Sequence, residues 1–170
     1  MIIRVSELSP EGLDVRDARQ FSTPAFTDPE WRLDGVDLHV QPDGDDVTVQ
    51  GTIEATVPLA CGRCLESLPT HVNVLVDVRL TPRPAARDDL ELGADDLDTD
   101  FYANDELDLG ALIQTETTLA LPMKPLCRED CRGLCPACGM NRNLTPCECR
   151  EQKPDPRLAV LSQWSARRKG

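Results

Sequence analysis

The chain has 170 residues with a net charge of −12, enough for one domain or one domain with a small appendage. Aromatics make up only 4% of it, so the core has to come from Val, Leu, Ile and Ala, and fourteen prolines argue against long helices. So acidic a surface is the reverse of what phosphate binding usually needs, and it suits a basic partner or plain solubility.

MIIRVSE at the start alternates weakly and reads as a strand, and these first residues carry no apolar run long enough for a signal peptide. VDLHVQ at 36–41, DVTVQGTIEATVPL at 46–59 and HVNVLVDVRL at 71–80 alternate apolar and polar residues, the pattern of half-buried strands. QPDGDD supplies a turn between the first two runs, and Gly51 reads as a bulge or bend. Together they predict an antiparallel meander, a small sheet or barrel over 1–81, with the CGRC pair in the connection between the last two strands. His39 and His71 fall at alternating strand positions and read as surface or edge residues.

Residues 82–106 change character. Acidic residues dominate and no period holds, so the segment reads as a flexible acidic loop, either an exposed linker or a docking surface for a basic protein. DLGALIQTETTLAL at 108–121 predicts a helix capped by Asp108 and stopped at Pro122, with Leu109, Leu112, Ile113 and Ala120 on its apolar face and Glu116 at the edge of that face. PDPRLAVLSQWSA at 154–166 predicts a second short helix, with Asp155 as its cap and a stripe of Leu158, Leu161 and Trp164. The helix, the cysteine-rich segment and the second helix, 107–166, are grouped with the sheet as one α+β domain.

The eight cysteines carry the chemistry. Their spacing is Cys61-x2-Cys64, then Cys127-x3-Cys131-x3-Cys135-x2-Cys138-x8-Cys147-x-Cys149. No stretch of eighteen apolar residues exists, which predicts a cytosolic chain, and cytosolic thiols bind metal or do redox work rather than form structural disulfides. Zinc takes four thiolates at tetrahedral corners. A two-residue spacing lets a tight turn aim both sulfurs at one point, and Gly139 beside Cys138 permits the left-handed backbone such a turn uses. In Cys147-Glu148-Cys149 alternate side chains of an extended segment point the same way. The preferred grouping places Cys135, Cys138, Cys147 and Cys149 on one zinc, because that loop is short, and Cys61, Cys64, Cys127 and Cys131 on another. Putting both CxxC turns on one metal, filling a single site, or ligating iron–sulfur remain open on spacing alone. A redox CGRC would need a helix start after a strand; LESLPT is stopped by Pro69 and leads into a strand instead. The motifs of hydrolases, phosphate loops and zinc proteases are missing, so no enzymatic activity is expected. Arg128, Arg132, Arg142 and Arg150 cluster around the cysteines, either offsetting thiolate charge or forming a face that contacts RNA or a partner.

The run Leu119-Ala120-Leu121-Pro122, Cys127, Asp130-Cys131, Gly133-Leu134-Cys135-Pro136, Cys138-Gly139, Asn141, Asn143, Cys147 and Cys149 resembles the cysteine-rich end of the YceD family, the large-ribosomal-RNA accumulation proteins. Asp155-Pro156 and the Leu158–Leu161 stripe extend the likeness, and Cys61, Arg63, Cys64 and Leu65 resemble the family's C-x-R-C-L turn. The resemblance implies a non-enzymatic cytosolic factor for synthesis, processing or stability of large-subunit (23S) ribosomal RNA, and an association with a small basic large-subunit ribosomal protein. An acidic chain is better suited to holding that protein, or a pre-ribosomal particle, than bare RNA. Direct RNA binding through the arginines and thiol–disulfide chemistry at Cys61 and Cys64 are the alternatives.

Overall fold

The computed structural model describes residues 1–21, 25–83, 99–149 and 157. The chain divides into two compact units, Met1–Leu59 with Ser67–Met123, and Ala60–Glu66 with Lys124–Gly170.

Among the described residues the first unit is mostly sheet with one α-helix, an α+β arrangement. β2 (Leu13–Val15), β3 (Arg32–Asp43), β4 (Asp46–Ala60), β5 (Ser67–Pro82) and β6 (Thr99–Tyr102) form a five-stranded sheet in that linear order. β1 (Ile2–Arg4) pairs antiparallel with β7 (Glu106–Asp108) in a separate two-stranded sheet. The three alternating runs lie inside β3, β4 and β5, side by side as a meander requires. Alternation decides which face is buried: Val36, Leu38 and Val40 on β3, Val47, Val49, Ile53, Ala55 and Val57 on β4, and Val74, Val76 and Leu80 on β5 are all buried. Trp31 packs edge-on to the buried Phe26, ring centroids 5.4 Å apart, and so closes one side of this core.

Two local features differ from expectation. The bulge is not at Gly51, which stays in register opposite Leu38; the register shifts between Leu33 and Gly35 instead. The extra residue there, Asp34, resets the alternation so that both Leu33 and Val36 turn inward, and its carboxylate accepts a short hydrogen bond from the Thr56 hydroxyl. Gly51 answers a different need. A β-carbon on it would lie 1.9 Å from the Asp37 carbonyl oxygen, and its φ is +147°. The second difference is that β6 runs parallel to β5, so the sheet is mixed rather than antiparallel throughout. A tight turn returns a chain antiparallel, but a long connection can bring it back in either sense. Part of the segment expected to be a loop is therefore strand, at β6 and β7; residues 84–98 lie outside the described residues.

Helix α1 (Leu109–Leu119) begins where expected. The Asp108 carboxylate accepts from the amides of Gly110 and Ala111, and Leu109, Leu112 and Ile113 are buried against the sheet core. Ala120 is the C-cap and is exposed, one residue past the helix. Glu116 is half-buried, and that burial, with the Asp100 charge, raises its pKa. The second helix, expected over 154–166, lies outside the described residues apart from Arg157. No helix among the described residues is long and apolar enough to cross a membrane.

Candidate metal centres

The second unit is organised by two turns of the same design. In Cys61–Leu65 the amide of Leu65 donates to the Cys61 carbonyl at 3.0 Å; in Cys135–Gly139 the amide of Gly139 donates to the Cys135 carbonyl at 2.8 Å. Each turn ends on a left-handed residue, φ +62° at Leu65 and +73° at Gly139. Glycine takes that conformation freely, whereas leucine pays a steric cost, so the first turn is held by its surroundings. The Cys61 amide donates to the Glu66 carbonyl, the Gly62 amide to Pro125, and the Leu134 amide to Arg63. The Arg63 guanidinium donates to the carbonyls of Glu129 at 2.9 Å and Cys131 at 3.0 Å. These bonds stitch 61–66 to the segment that carries Cys127 and Cys131.

The eight sulfurs gather as two sets of four. Cys61, Cys64, Cys127 and Cys131 form one, Cys135, Cys138, Cys147 and Cys149 the other, and within each set every sulfur is within 4.8 Å of the others. The Cys61 and Cys131 sulfurs are 3.9 Å apart and those of Cys64 and Cys127 3.6 Å, far beyond a disulfide bond. A tetrahedron with metal–sulfur bonds of about 2.3 Å has an edge of about 3.8 Å, so the first set already has the dimensions of a four-thiolate site. The structure does not gather the two CxxC turns on one point. The sets differ in exposure: Cys61, Cys64 and Cys131 are buried and Cys127 exposed, whereas in the second set only Cys135 is buried. Either tetrad could hold a metal ion.

The local fields lower two thiols of the first set, Cys61 and Cys131, and Cys135 of the second. Backbone amides of Cys127, Cys64 and Arg63 bring the Cys61 thiol down to about 6, and those of Cys138 and Ala137 do the same for Cys135, also to about 6. Burial and the neighbouring thiols of Cys131, Cys64 and Cys61 push Cys127 up to about 12; Cys138, burial and Cys135 push Cys149 up to about 12. Like charges at this spacing repel, and a cation at the centre is what lets four thiols ionise together.

Asn143 orients the first set from outside. Its amide donates to the Cys131 sulfur at 3.2 Å, and its carbonyl oxygen accepts from the Arg128 guanidinium and the Arg132 amide, both at 2.8 Å. Asn141 accepts from the Asn143 amide and donates to Glu66 at 2.9 Å. Neither asparagine nor Arg63 was singled out by residue chemistry; each entered only through the resemblance to a family pattern, which was the one available signal.

The four arginines divide. Arg128 is engaged with Asn143 and lies 3.3 Å from Asp130. Arg132 and Arg142 line a cleft of about 360 Å³ together with Pro146 and Cys147. Arg150 lies outside the described residues. The histidines are on strands of the first unit and belong to neither cysteine set: the His39 Nδ1 is 2.7 Å from Asp14, whose carboxyl it holds below the usual range, and the His71 Nδ1 is 2.9 Å from the Thr56 hydroxyl.

An α+β protein with two convergent cysteine tetrads, one of them bridging a β-connection and a distant loop, is the class that this geometry defines. The chain belongs to the YceD family: the family pattern described as large ribosomal RNA subunit accumulation protein YceD matches residues 49–164, a span that includes both tetrads. Among its relatives, an uncharacterised protein of Mycobacterium tuberculosis is 32% identical over 126 residues, covering 74% of this chain and 59% of that protein. An uncharacterised protein of Mycobacterium leprae is 32% identical over 112 residues, covering 65% of this chain and 50% of that protein. A maize protein named large ribosomal RNA subunit accumulation protein YCED homolog 1, chloroplastic, is 28% identical over 127 residues, covering 60% of this chain and 43% of that protein. The chain thus spans well under two thirds of the length of these relatives. No solved structure matches it.

Proposed function

We propose that this chain is a non-enzymatic, cytosolic ribosome-biogenesis factor that supports synthesis, processing or stability of large-subunit (23S) ribosomal RNA by binding a basic ribosomal protein or a pre-ribosomal particle. Family membership over 49–164 carries this reading, because the family description and the name of the maize relative both concern large-subunit ribosomal RNA. The chemistry of the tetrads agrees with an accessory role. Zinc is the ion that four thiolates at tetrahedral spacing suit best, with Cys61, Cys64, Cys127 and Cys131 holding one and Cys135, Cys138, Cys147 and Cys149 the other. Four cysteine ligands leave no open position for a reacting water, so the bound ion supplies tertiary cross-links and not catalysis. In the first set, Cys61 and Cys64 are then occupied as ligands rather than free for disulfide exchange.

The test is to tag the full chain in its own cell, isolate it at physiological salt and identify what accompanies it, alongside the 23S to 16S ratio after depletion. Large-subunit proteins or precursors in the isolate and a fall in 23S are expected. A preparation with no ribosomal component and an unchanged ratio would overturn the reading. A second reading, direct contact with RNA, is favoured by the cleft that Arg132 and Arg142 share, since no carboxylate among the described residues lines it.

A further inference from the structure

A groove of about 350 Å³ lies in the first unit where β6, the β1–β7 pair and α1 meet. Its floor is apolar, with Leu107 3% and Leu112 7% exposed. Its walls include Ile2, 63% exposed, and Phe101, 37% exposed, two apolar side chains left uncovered in one depression. Among the described residues, the charged side chains that line it are Asp100, Glu106 and Asp108, with no Lys, Arg or His. Asp108 is partly engaged, as the cap of α1 and 3.8 Å from the Met1 amino group, and one oxygen of Asp100 accepts from the Phe101 amide at 2.8 Å. The Asp100 charge reaches Glu116 on α1, adding to burial in raising that carboxyl.

The wall is rigidly built. Asn104 and Asp105, in the turn between β6 and β7, both have left-handed φ, 58° and 63°. Asn and Asp take that conformation readily, and the pair makes a tight hairpin turn closed by the Glu106 amide donating to the Ala103 carbonyl at 3.0 Å. Here the Val5 amide donates to the Asp105 carbonyl at 3.0 Å, the Ser6 amide donates to its carboxylate at 2.9 Å, and the Ser6 hydroxyl makes a further short bond to it. The Tyr102 hydroxyl donates to the Asp45 carbonyl at 2.7 Å and ties the end of β6 to the β3–β4 turn. A site ordered in advance loses little entropy when it is filled.

We infer that this groove docks a lysine- or arginine-rich segment of a partner protein, with an apolar side chain of that segment seated between Ile2 and Phe101 and its cations against Asp100 and Glu106. This names the surface through which the proposed function would engage a basic ribosomal protein, and it rests on that reading. Charge complementarity selects the occupant. A nucleic acid would bring phosphates against three carboxylates, and an uncharged apolar peptide would leave the acidic rim unmatched. The volume accommodates one or two side chains, so the recognised unit is a short linear segment rather than a helix face.

The test uses the full chain and a fluorescent peptide with Leu-Phe at its centre and four Lys or Arg on each side, read by anisotropy at physiological salt. Comparison ligands are the same peptide with Ser-Ser at its centre and a single-stranded RNA of twenty nucleotides. The Asp100→Lys/Glu106→Lys variant, and separately Ile2→Ser, should each weaken the Leu-Phe peptide by about tenfold or more. A charge-matched control, Glu30→Lys/Glu54→Lys, lines no part of the groove and should leave binding within about twofold. Equal weakening in the control, no preference for Leu-Phe over Ser-Ser, or RNA binding that the rim variant abolishes would overturn the inference. If the rim variant does not fold, Ile2→Ser decides, since that side chain is mostly solvated. In cells, a rim variant that still accompanies ribosomal precursors sinks the groove and leaves the proposed function standing; a wild-type chain that never accompanies them sinks the function.

Discussion

Gly51 shows how one residue can be legible as special without its reason being legible. In sequence it interrupts an alternating run, which points to a bulge or a bend; in the fold it lies on the buried face of β4, opposite Leu38, against the backbone of β3. A β-carbon would be 1.9 Å from the Asp37 carbonyl oxygen, so two strands would have to part. Gly51→Ala is therefore expected to destabilise the chain by about 3 kcal/mol or more in urea unfolding. Gly44, in the turn between β3 and β4, makes the contrast: it has φ +67° with nothing within 4 Å of an added β-carbon. Gly44→Ala should cost only the left-handed penalty, about 1 kcal/mol. Equal effects of the two substitutions would mean that contact across the strands is not what selects glycine at 51. Asn143 carries the same lesson for the candidate site: its side-chain bond to Cys131 depends on a fold in the chain that no spacing rule specifies.

At the scale of elements, α1 was readable because its signals are local. Asp108 precedes an apolar pattern at Leu109, Leu112 and Ile113, and the cap forms as those residues imply. Asp108→Ala is expected to lower stability by about 1 kcal/mol, with Asp108→Asn keeping most of it, as measured by denaturant midpoints. An Ala variant as stable as the parent would show that packing alone holds the first turn. β3, β4 and β5 were readable for the same local reason, since period-two alternation marks a half-buried strand. β6 and β7 were not. TDFY has no alternation and ELD is too short for its alternation to count, and they become strands because Arg79–Pro82 and Ile2–Arg4 lie beside them. The groove assigned to a basic segment is hidden with them, since the acidic stretch by itself reads equally as an exposed linker or a docking surface.

At the scale of the whole molecule, the two units are stabilised by different means. The first has a continuous apolar core of strands and α1. The described part of the second consists of turns and loops whose sulfurs converge, so metal binding there should supply folding free energy. Protein prepared without chelator is expected to carry two zinc ions per chain, one for each tetrad. Stripping them should remove hydrogen-exchange protection from 60–66 and 124–149 and leave the amides of β3 and β4 protected. The more exposed set, with Cys138 and Cys149 open to solvent, should release its ion first. Unchanged exchange in 124–149 after complete removal would show that hydrogen bonds, not ions, hold this unit.

The sequence by itself determined the things that neighbouring residues decide together. Three alternating runs became strands, an aspartate capped a helix, and a glycine after Cys138 closed a two-residue turn, because strand period, capping and turn geometry act within a few residues. Only the tertiary structure chose among the groupings of sulfurs that spacing left open, in favour of the one loop length prefers, and only it decided that β6 lies parallel to β5 and that Ile2 and Phe101 share an acidic groove. Those outcomes join parts of the chain up to a hundred residues apart, and the free energy that brings them together belongs to packing rather than to any local pattern.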